Sequence, residues 1–295
     1  MLQVGESDSH PAYDRPMKGF LAAVLALVAI PGVARAQFRA DSARRDFHRL
    51  AGDIWSVWTS PAHANARDME GAAAALGAAA LAATGDEPLH RWMTDHRDSW
   101  PMRLLHPMTE EARYPAYEMG SGQYLLPLSA ALYIAGTAGR SRGLRDAGLG
   151  CATAHLTSAG ARDIVYLLVQ RDRPRESPDD PFRFRFPGQS GWNYHDWNWH
   201  SFFSGHIANS TGCASFLAHR FHLHAAEPVA YAFVSAIGLG RVADGRHWLS
   251  DTVVGALFGY ATGRTVSARM LARERGPTLQ APPPPITISF SWPIE

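Results

Sequence analysis

The stretch GRVADGRHWLSD, residues 240–251, is the most informative part of this sequence. His247 and Asp251 are four residues apart, so a helical turn would place both side chains on one face. A carboxylate that accepts from one imidazole nitrogen fixes the tautomer and leaves the other nitrogen free as a nucleophile or base. Arg241 lies upstream across a glycine-containing loop, from which its guanidinium can fold back toward the same point. We therefore predict an activated histidine beside a cation that suits an oxyanion.

Apolar residues recur at helical spacing on both sides of this stretch and almost throughout the chain from Phe38 onward. Asp68 is the expected cap of one predicted helix, and Pro88 and Pro101 are expected to open and close the next. The body of the sequence has no run of alternating apolar and polar residues that would indicate a strand. The fold class predicted is therefore an all-α helical bundle. The predicted helices cover residues 43–57, 69–84, 89–100, 119–139, 144–170, 204–219, 228–239 and 250–273.

Two further segments place ligands for an anion beside a helix end. They are YLLVQRDRP, residues 166–174, and SFFSGH, residues 201–206. Ser204 is a suitable N-cap for the helix that follows, and Gly205 allows a close approach to the free backbone N–H groups of its first turn. His206 lies in the same turn, where a protonated imidazole could donate to a leaving oxygen. Arg173 is held at the end of a helix by the proline that follows it.

Together the three segments supply two guanidiniums, backbone donors, a nucleophile with an orienting carboxylate, and an acid. Phosphoryl transfer through a covalent intermediate needs this set of groups. The chain resembles the superfamily of type 2 phosphatidic acid phosphatases and vanadium haloperoxidases, whose signatures read KxxxxxxRP, PSGH and SRxxxxxHxxxD over a helical bundle. The resemblance covers roughly residues 120–264, and its most specific part is the spacing from Arg241 to His247 to Asp251.

The resemblance implies roles for these residues. His247 attacks phosphorus and becomes a phosphohistidine, Asp251 holds its ring, and His206 protonates the departing alcohol. The implied ligands of the phosphate oxygens are Arg173, Arg241 and the amides of Ser204 and Gly205. No divalent metal and no cofactor are expected for this chemistry. In the haloperoxidase branch, the same pocket holds vanadate on the histidine equivalent to His247.

The chain departs from the signatures at three positions. Tyr166 replaces the lysine of the first, Phe203 the proline of the second, and Gly240 the serine of the third. The loss of the lysine removes one charged contact to phosphate, worth about 1.5–3 kcal/mol, or roughly ten- to a hundredfold in rate. Arg162, one turn before Tyr166, and Arg171 are the candidates to supply the missing cation.

The N-terminus has the features of a secretory signal peptide, predicted to cover residues 1–36 with Met17 as an alternative start. A lysine and the apolar run 19–30 precede a Pro-Gly break and the small-x-small exit at residues 34–36. The mature protein would begin near Gln37 and be periplasmic or secreted. A membrane anchor is the alternative reading, but the run is short of the roughly 20 residues that a spanning helix needs.

Downstream of the signal peptide we predict a helical phosphatase domain over residues 37–275, with its motif core at about 120–264, and a separate tail over residues 276–295. The tail contains four consecutive prolines, residues 282–285, which favour an extended conformation. Residues 286–292 alternate apolar and polar side chains, typical of a lone strand or of an arm packed on the body.

Composition limits the partners. The net charge of +1 gives no general attraction to nucleic acid, so no nucleic-acid partner is expected. Cys151 and Cys213 each lie among small and apolar residues of a predicted helix, so we expect buried free thiols, although sequence does not settle whether they pair. Polar residues within the apolar segments favour a soluble or peripherally bound bundle, and membrane-surface association and oligomeric state stay open.

The function we expect is that of an exported phosphatase acting on phosphomonoesters or lipid-linked phosphates. One alternative is a vanadium-dependent haloperoxidase built on the same pocket. The other is a catalytically weakened member that binds anions or lipids, which the loss of the lysine at Tyr166 favours and the retained His206, His247 and Asp251 oppose. The remaining histidines, among them His200, are irregularly spaced, which favours solvent or core positions over a metal site.

Overall fold

The computed structural model of the chain describes residues 40–109, 115–223 and 225–275. The predicted signal peptide, residues 1–36, and the proline-rich tail, residues 276–295, lie outside the described residues. The described part is predominantly helical, with one very small sheet, which confirms the predicted all-α bundle.

The longer helices follow the predicted segments with shifted ends, whereas two short helices, Trp100–Leu105 and Pro115–Glu118, were not predicted. In chain order they are α1 (Ala40–Thr59), α2 (Ala66–Ala83), α3 (Asp86–Asp95), α4 (Trp100–Leu105), α5 (Pro115–Glu118), α6 (Gly122–Ala138), α7 (Arg142–Leu168), α8 (Gly205–Arg220), α9 (Glu227–Ala243) and α10 (Leu249–Arg275). Short 3-10 helices cover Ser60–His63, His106–Met108 and Trp197–Trp199. The two-residue strands β1 (Gln170–Arg171) and β2 (Phe184–Arg185) pair antiparallel, in a part of the chain where no strand was predicted.

Two boundaries differ from the prediction for identifiable reasons. Asn65, not Asp68, caps α2, because its Oδ1 accepts from the N–H of Asp68 at 3.2 Å while Asp68 Oδ2 accepts from the N–H of Asn65 at 2.9 Å. This reciprocal pair is a capping box, which places Asp68 at the third helical position. Pro101 opens α4 instead of ending α3, because a proline in the first turn of a helix loses no hydrogen bond.

The centre of the bundle is formed by α6, α7, α8 and α10, and α8 and α10 approach each other closely. Gly255, Gly259 and Gly263 lie one turn apart along α10 and face the backbone of α8. A Cβ at Gly259 would lie 2.2 Å from the carbonyl oxygen of Ala208, so this contact requires glycine. The close contact matters for the site because α8 and α10 both begin there.

The expectation of free thiols is wrong, because Cys151 and Cys213 form a disulfide. Cys151 is on α7 and Cys213 on α8, and their Cα atoms are 4.5 Å apart. The bond lies beside a buried cluster that includes Phe216 and Val266. Burial in helix interiors was predicted, but the sequence cannot show that the packing of α7 against α8 brings the two sulfur atoms together.

An apolar groove of about 1010 Å³ runs between α1, α2 and α10. Trp55 and Leu76 lie in its walls and are largely exposed. Phe202, from the loop before α8, also lines the groove, but neither His206 nor His247 does. No helix in the described ranges is both long enough and apolar enough to cross a bilayer.

Candidate active site

The three predicted segments meet where α7 ends and where α8 and α10 begin. The backbone N–H of Ser201 donates to the carbonyl of Arg171 at 3.2 Å, which joins the first segment to the second. The N–H of Ser204 donates to the carbonyl of Asp251 at 3.1 Å, which joins the second to the third. Backbone hydrogen bonds therefore hold together residues that lie far apart along the chain.

His247 lies in the turn between α9 and α10 and is buried. Its Nδ1 is 2.8 Å from the carbonyl oxygen of Ser201. Because a carbonyl can only accept, Nδ1 carries the hydrogen and Nε2 keeps its lone pair. Burial and the charges of Arg241 and Arg173 hold the pKa of His247 well below its ordinary value. The ring is therefore neutral, with Nε2 available as a nucleophile.

Asp251 does not contact that ring in the way the spacing predicts. Its Oδ2 lies 4.0 Å from Nδ1 of His247 and accepts instead from Ser201 Oγ at 2.5 Å and from the N–H of Trp248 at 2.9 Å. Since α10 begins two residues after His247, the two side chains do not share a helical face. Asp251 thus holds Ser201, whose carbonyl orients His247.

Arg173 and Arg241 lie buried beside His247, as predicted, and both lower its pKa. One nitrogen of Arg173 donates to the carbonyl of His200 at 3.4 Å, and one of Arg241 donates to the hydroxyl of Tyr117. The Nε atoms of both arginines have no hydrogen-bond partner among the described residues. Burial lowers the pKa of Arg173 to about 10, which leaves it charged at neutral pH. Buried guanidiniums with unused donors suit an oxyanion.

The N-terminus of α8 adds more donors. Ser204 stands at the N-cap position, as predicted, but its buried Oγ makes no capping bond and finds no partner in the described ranges. A Cβ at Gly205 would lie 2.6 Å from Nη1 of Arg162, so a larger residue here would have to displace the Arg162 side chain. The first turn of a helix also carries free N–H groups and a partial positive charge. This end of α8 is therefore built for an anion.

His206, in that first turn, is paired with a residue that the sequence did not indicate. Oε2 of Glu118, at the end of α5, lies 3.8 Å from His206 Nε2. Burial and then Arg241 lower the pKa of His206 to about 4, while Glu118 acts in the opposite direction. Burial opposes the ionisation of Glu118, but the proximity of His206 keeps its pKa below the ordinary value. No spacing rule marks Glu118, because α5 lies far upstream of the three segments.

Tyr166 fills the position of the family lysine without supplying a charge. Its hydroxyl donates to the carbonyl of Phe203 at 3.2 Å, and its ring stacks on His200 with the centroids 4.4 Å apart. Burial raises the pKa of Tyr166 to about 12, so the phenol is neutral. His200 is fully buried in this stack, in agreement with the core position that was favoured.

Arg162 is the candidate cation that lies at the anion site. Its guanidinium carbon is 5.6 Å from the centroid of the Tyr166 ring, and its Nη1 packs on Gly205. Its Nε and Nη2 donate to Asp163 at 2.9 and 2.6 Å. The charge of Arg162 also lowers the pKa of His206, which shows that it acts on the same region.

Arg171, the other candidate, is engaged elsewhere. Its Nη1 donates to Asp251 at 2.5 Å, its Nη2 to Asp86 at 2.7 Å, and its Nε to the carbonyl of Pro181 at 2.8 Å. It is 2% exposed. Arg171 therefore belongs to the surroundings of Asp251 and has no nitrogen left for phosphate.

The other two departures from the family signatures have packing explanations. A Cβ at Gly240 would lie 2.1 Å from the carbonyl oxygen of Met108, so the serine of the signature does not fit where His106–Met108 packs on α9. Phe203 is buried and lies against Phe258, with ring centroids 5.4 Å apart. Both changes belong to the local packing around the site.

The chemistry of the donor set favours an anion. In the part of the chain that the structure describes, no three His, Cys, Asp or Glu side chains are arranged to hold a metal ion. The groups that converge near His247 are guanidiniums, a hydroxyl and backbone N–H groups, all of which donate hydrogen bonds. Such a set binds an oxyanion.

Comparison with known proteins agrees with this geometry. Residues 148–275, from within α7 to the end of α10, match the family model of the PAP2 superfamily. Neither the search of curated proteins nor the search of solved structures gave a significant match. The family match supports phosphatase-like or haloperoxidase-type chemistry in general terms. All three signatures lie within residues 148–275, the region of the chain that is similar to the PAP2 superfamily.

Proposed function

We propose that the protein is a metal-independent phosphatase that hydrolyses phosphomonoesters or lipid-linked phosphates through a phosphohistidine at His247. The observation that carries the proposal is a neutral, buried imidazole with a fixed tautomer, next to two buried guanidiniums whose Nε donors have no partner among the described residues. A buried donor without a partner is costly, and an oxyanion would supply the missing interactions.

The reaction has two steps. Nε2 of His247 attacks phosphorus, the P–O bond to the leaving group breaks, and the leaving oxygen takes a proton from His206. A water molecule then attacks the phosphohistidine, the P–N bond breaks, and His206 takes the proton from water as phosphate leaves. Arg173, Arg241 and the N-terminus of α8 stabilise the equatorial oxygens in both steps.

His206 can act as the acid only if it is protonated when substrate is bound. Burial and then Arg241 lower its pKa to about 4, so without a neighbouring anion it is neutral at pH 7. A phosphate dianion beside it favours the imidazolium, as does Glu118 at 3.8 Å. Substrate binding therefore raises the pKa of His206, and the proton arrives together with the substrate.

Arg162 takes over the charge that Tyr166 lacks in this proposal. Its contact with Gly205 at the start of α8 and its charge effect on His206 support the assignment. Its distance of 5.6 Å from the Tyr166 ring places it beside the signature position itself.

Export is part of the proposal and is supported by the disulfide between Cys151 and Cys213. Such bonds persist in oxidising compartments such as the periplasm or the outside of the cell. The predicted signal peptide would deliver the chain there.

The test is phosphate release by the protein beginning at Gln37, with a chelator present. A small aryl phosphate and several lipid phosphates are offered, and His247→Ala is the control. Turnover that His247→Ala abolishes, with an acid-labile phosphoryl group trapped on the parent protein, would support the proposal, and the preferred substrate would name the class. Folded protein that releases no phosphate but oxidises halide with peroxide and vanadate would overturn it in favour of a haloperoxidase. Phosphate binding without any turnover would overturn it in favour of a binding protein.

A further inference from the structure

A chain of buried contacts runs from α3 to the reacting histidine. Asp86 Oδ2 accepts from Arg171 Nη2 at 2.7 Å, and Arg171 Nη1 donates to Asp251 Oδ1 at 2.5 Å. Asp251 Oδ2 accepts from Ser201 Oγ at 2.5 Å, and the carbonyl of Ser201 accepts from His247 Nδ1 at 2.8 Å. All five residues are at most 2% exposed.

Asp86 adds a second constraint at the same place. Its Oδ1 accepts from the backbone N–H of Ser250 at 2.8 Å, and its Oδ2 accepts from the hydroxyl of Ser250 at 2.7 Å. Ser250 is the residue before Asp251 in the first turn of α10. Asp86 thus fixes both the start of the helix that carries Asp251 and the guanidinium that contacts its side chain.

The free energy of desolvation makes this arrangement an unfavourable way to stabilise the fold. Two carboxylates and one guanidinium are removed from water, and such buried groups often contribute less to stability than apolar residues of similar volume. Arg171 is enclosed further by aromatic rings, with its guanidinium carbon 5.6 Å from the centroid of Trp248 and 5.4 Å from that of Phe184. The location of the charges directly behind Asp251 suggests that their role is geometric.

We propose that Asp86 and Arg171 are positioning residues for the reaction at His247. They hold Asp251 against Ser201, and the carbonyl of Ser201 keeps the hydrogen of His247 on Nδ1 and the lone pair on Nε2. Neither residue touches the phosphate, because the three donors of Arg171 described above are committed to Asp86, Asp251 and Pro181. Asp86 lies outside residues 148–275, so a helix beyond the family match completes the site.

The inference rests on the proposed role of His247, so the first readout does not depend on turnover. Nitrogen-15 NMR of the histidine rings reports which nitrogen of His247 carries the hydrogen, with His247→Ala used for assignment. The parent protein should show the Nδ1–H form. Asp86→Asn, which keeps the shape but loses the charge, and Arg171→Lys, which can contact only one carboxylate well, should both show a mixture of tautomers.

Glu87→Gln is the matched control, because Glu87 is the next carboxylate on α3 and contacts the exposed Arg91 instead. It should leave the tautomer unchanged. If the parent is a phosphatase, Asp86→Asn and Arg171→Lys should lower kcat about ten- to a hundredfold, with KM and the Kd for inorganic phosphate within about threefold of the parent values, since the phosphate ligands are intact.

Opposite outcomes would overturn the proposal. An unchanged tautomer and unchanged kcat in folded Asp86→Asn would show that Asp86 is structural only. A Kd for phosphate that rises in proportion to the loss of kcat in Arg171→Lys would make Arg171 an anion ligand instead. A third outcome separates the two proposals. If the variants show the tautomer shift but the parent protein hydrolyses no phosphate ester, the proposed function is contradicted and the positioning role is supported.

Discussion

Nδ1 of His247 lies 2.8 Å from the carbonyl oxygen of Ser201, and Oδ2 of Asp251 lies 4.0 Å from the same nitrogen. In a triad, one carboxylate both orients the imidazole and stabilises its charged form. Here a backbone carbonyl orients the ring, and the charge of Asp251 acts from 4.0 Å through Ser201. The two tasks can therefore be separated by mutation.

Ser201→Ala should lower kcat by about tenfold, because it removes one hydrogen bond to Asp251 and keeps the carbonyl that orients His247. Asp251→Ala should lower kcat far more and destabilise the fold by about 3 kcal/mol, since buried Arg171 loses one of its two carboxylates. Steady-state kinetics and urea unfolding measure both effects. Equal losses of stability in the two variants would contradict this division of roles.

Arg162→Ala should lower kcat/KM by about ten- to a hundredfold, the value of one charged contact to phosphate. Adding Tyr166→Lys to Arg162→Ala should recover a large part of the loss, because a lysine then stands at the signature position. Asp163→Asn is the control, because it removes the negative charge beside Arg162 and leaves the positive charge of Arg162 in place. The measurement is kcat/KM on a small aryl phosphate. An unchanged kcat/KM in Arg162→Ala would show that Arg162 does not replace the signature lysine.

Stability should fall as the solution is acidified from about pH 6.5 to about pH 4. Burial lowers the pKa values of His155, His200 and His206 from 6.5 to about 4. In this window the unfolded chain binds protons that the folded protein does not, so the free energy of unfolding decreases as pH falls. Thermal melts between pH 7.5 and pH 4.5 test the direction.

Gly240→Ser restores the serine of the family signature and should nonetheless destabilise the protein by roughly 1–3 kcal/mol. A Cβ at this position would lie 2.1 Å from the carbonyl oxygen of Met108, a backbone atom that cannot move aside easily. Gly240→Ala should cost a similar amount, because the clash comes from Cβ and not from the hydroxyl. Chemical unfolding of both variants measures this, and a stabilising serine would show that α9 and the turn at Met108 separate freely.

Reduction of the disulfide, or Cys151→Ala combined with Cys213→Ala, should destabilise the protein by about 2–4 kcal/mol. The bond closes a loop with a sequence separation of 62 residues, and cross-links over long loops restrict the unfolded chain most. A thiol titration under denaturing conditions, before and after reduction, shows whether the bond forms. Unfolding curves then give its contribution, and two free thiols in protein exported to an oxidising compartment would contradict the pairing.

Local sequence information was sufficient for the helices, the fold class and most of the site. The spacing of apolar residues predicts α6 to α10 to within about four residues at each end, because a helix that packs in a bundle needs apolar residues at helical spacing. The spacing of Arg241, His247 and Asp251 likewise predicts His247 as the reacting group.

Tertiary structure alone decided which atoms meet. The hydrogen-bond partner of His247, the pairing of Cys151 with Cys213, and the approach of Glu118 to His206 all join residues that are distant in sequence. The choice of Arg162 over Arg171 as the cation beside Tyr166 depends on Asp86, which occupies Arg171 from 85 residues upstream. Sequence patterns report the environment that each helix needs, whereas these contacts depend on how the helices pack against one another, which no local pattern records.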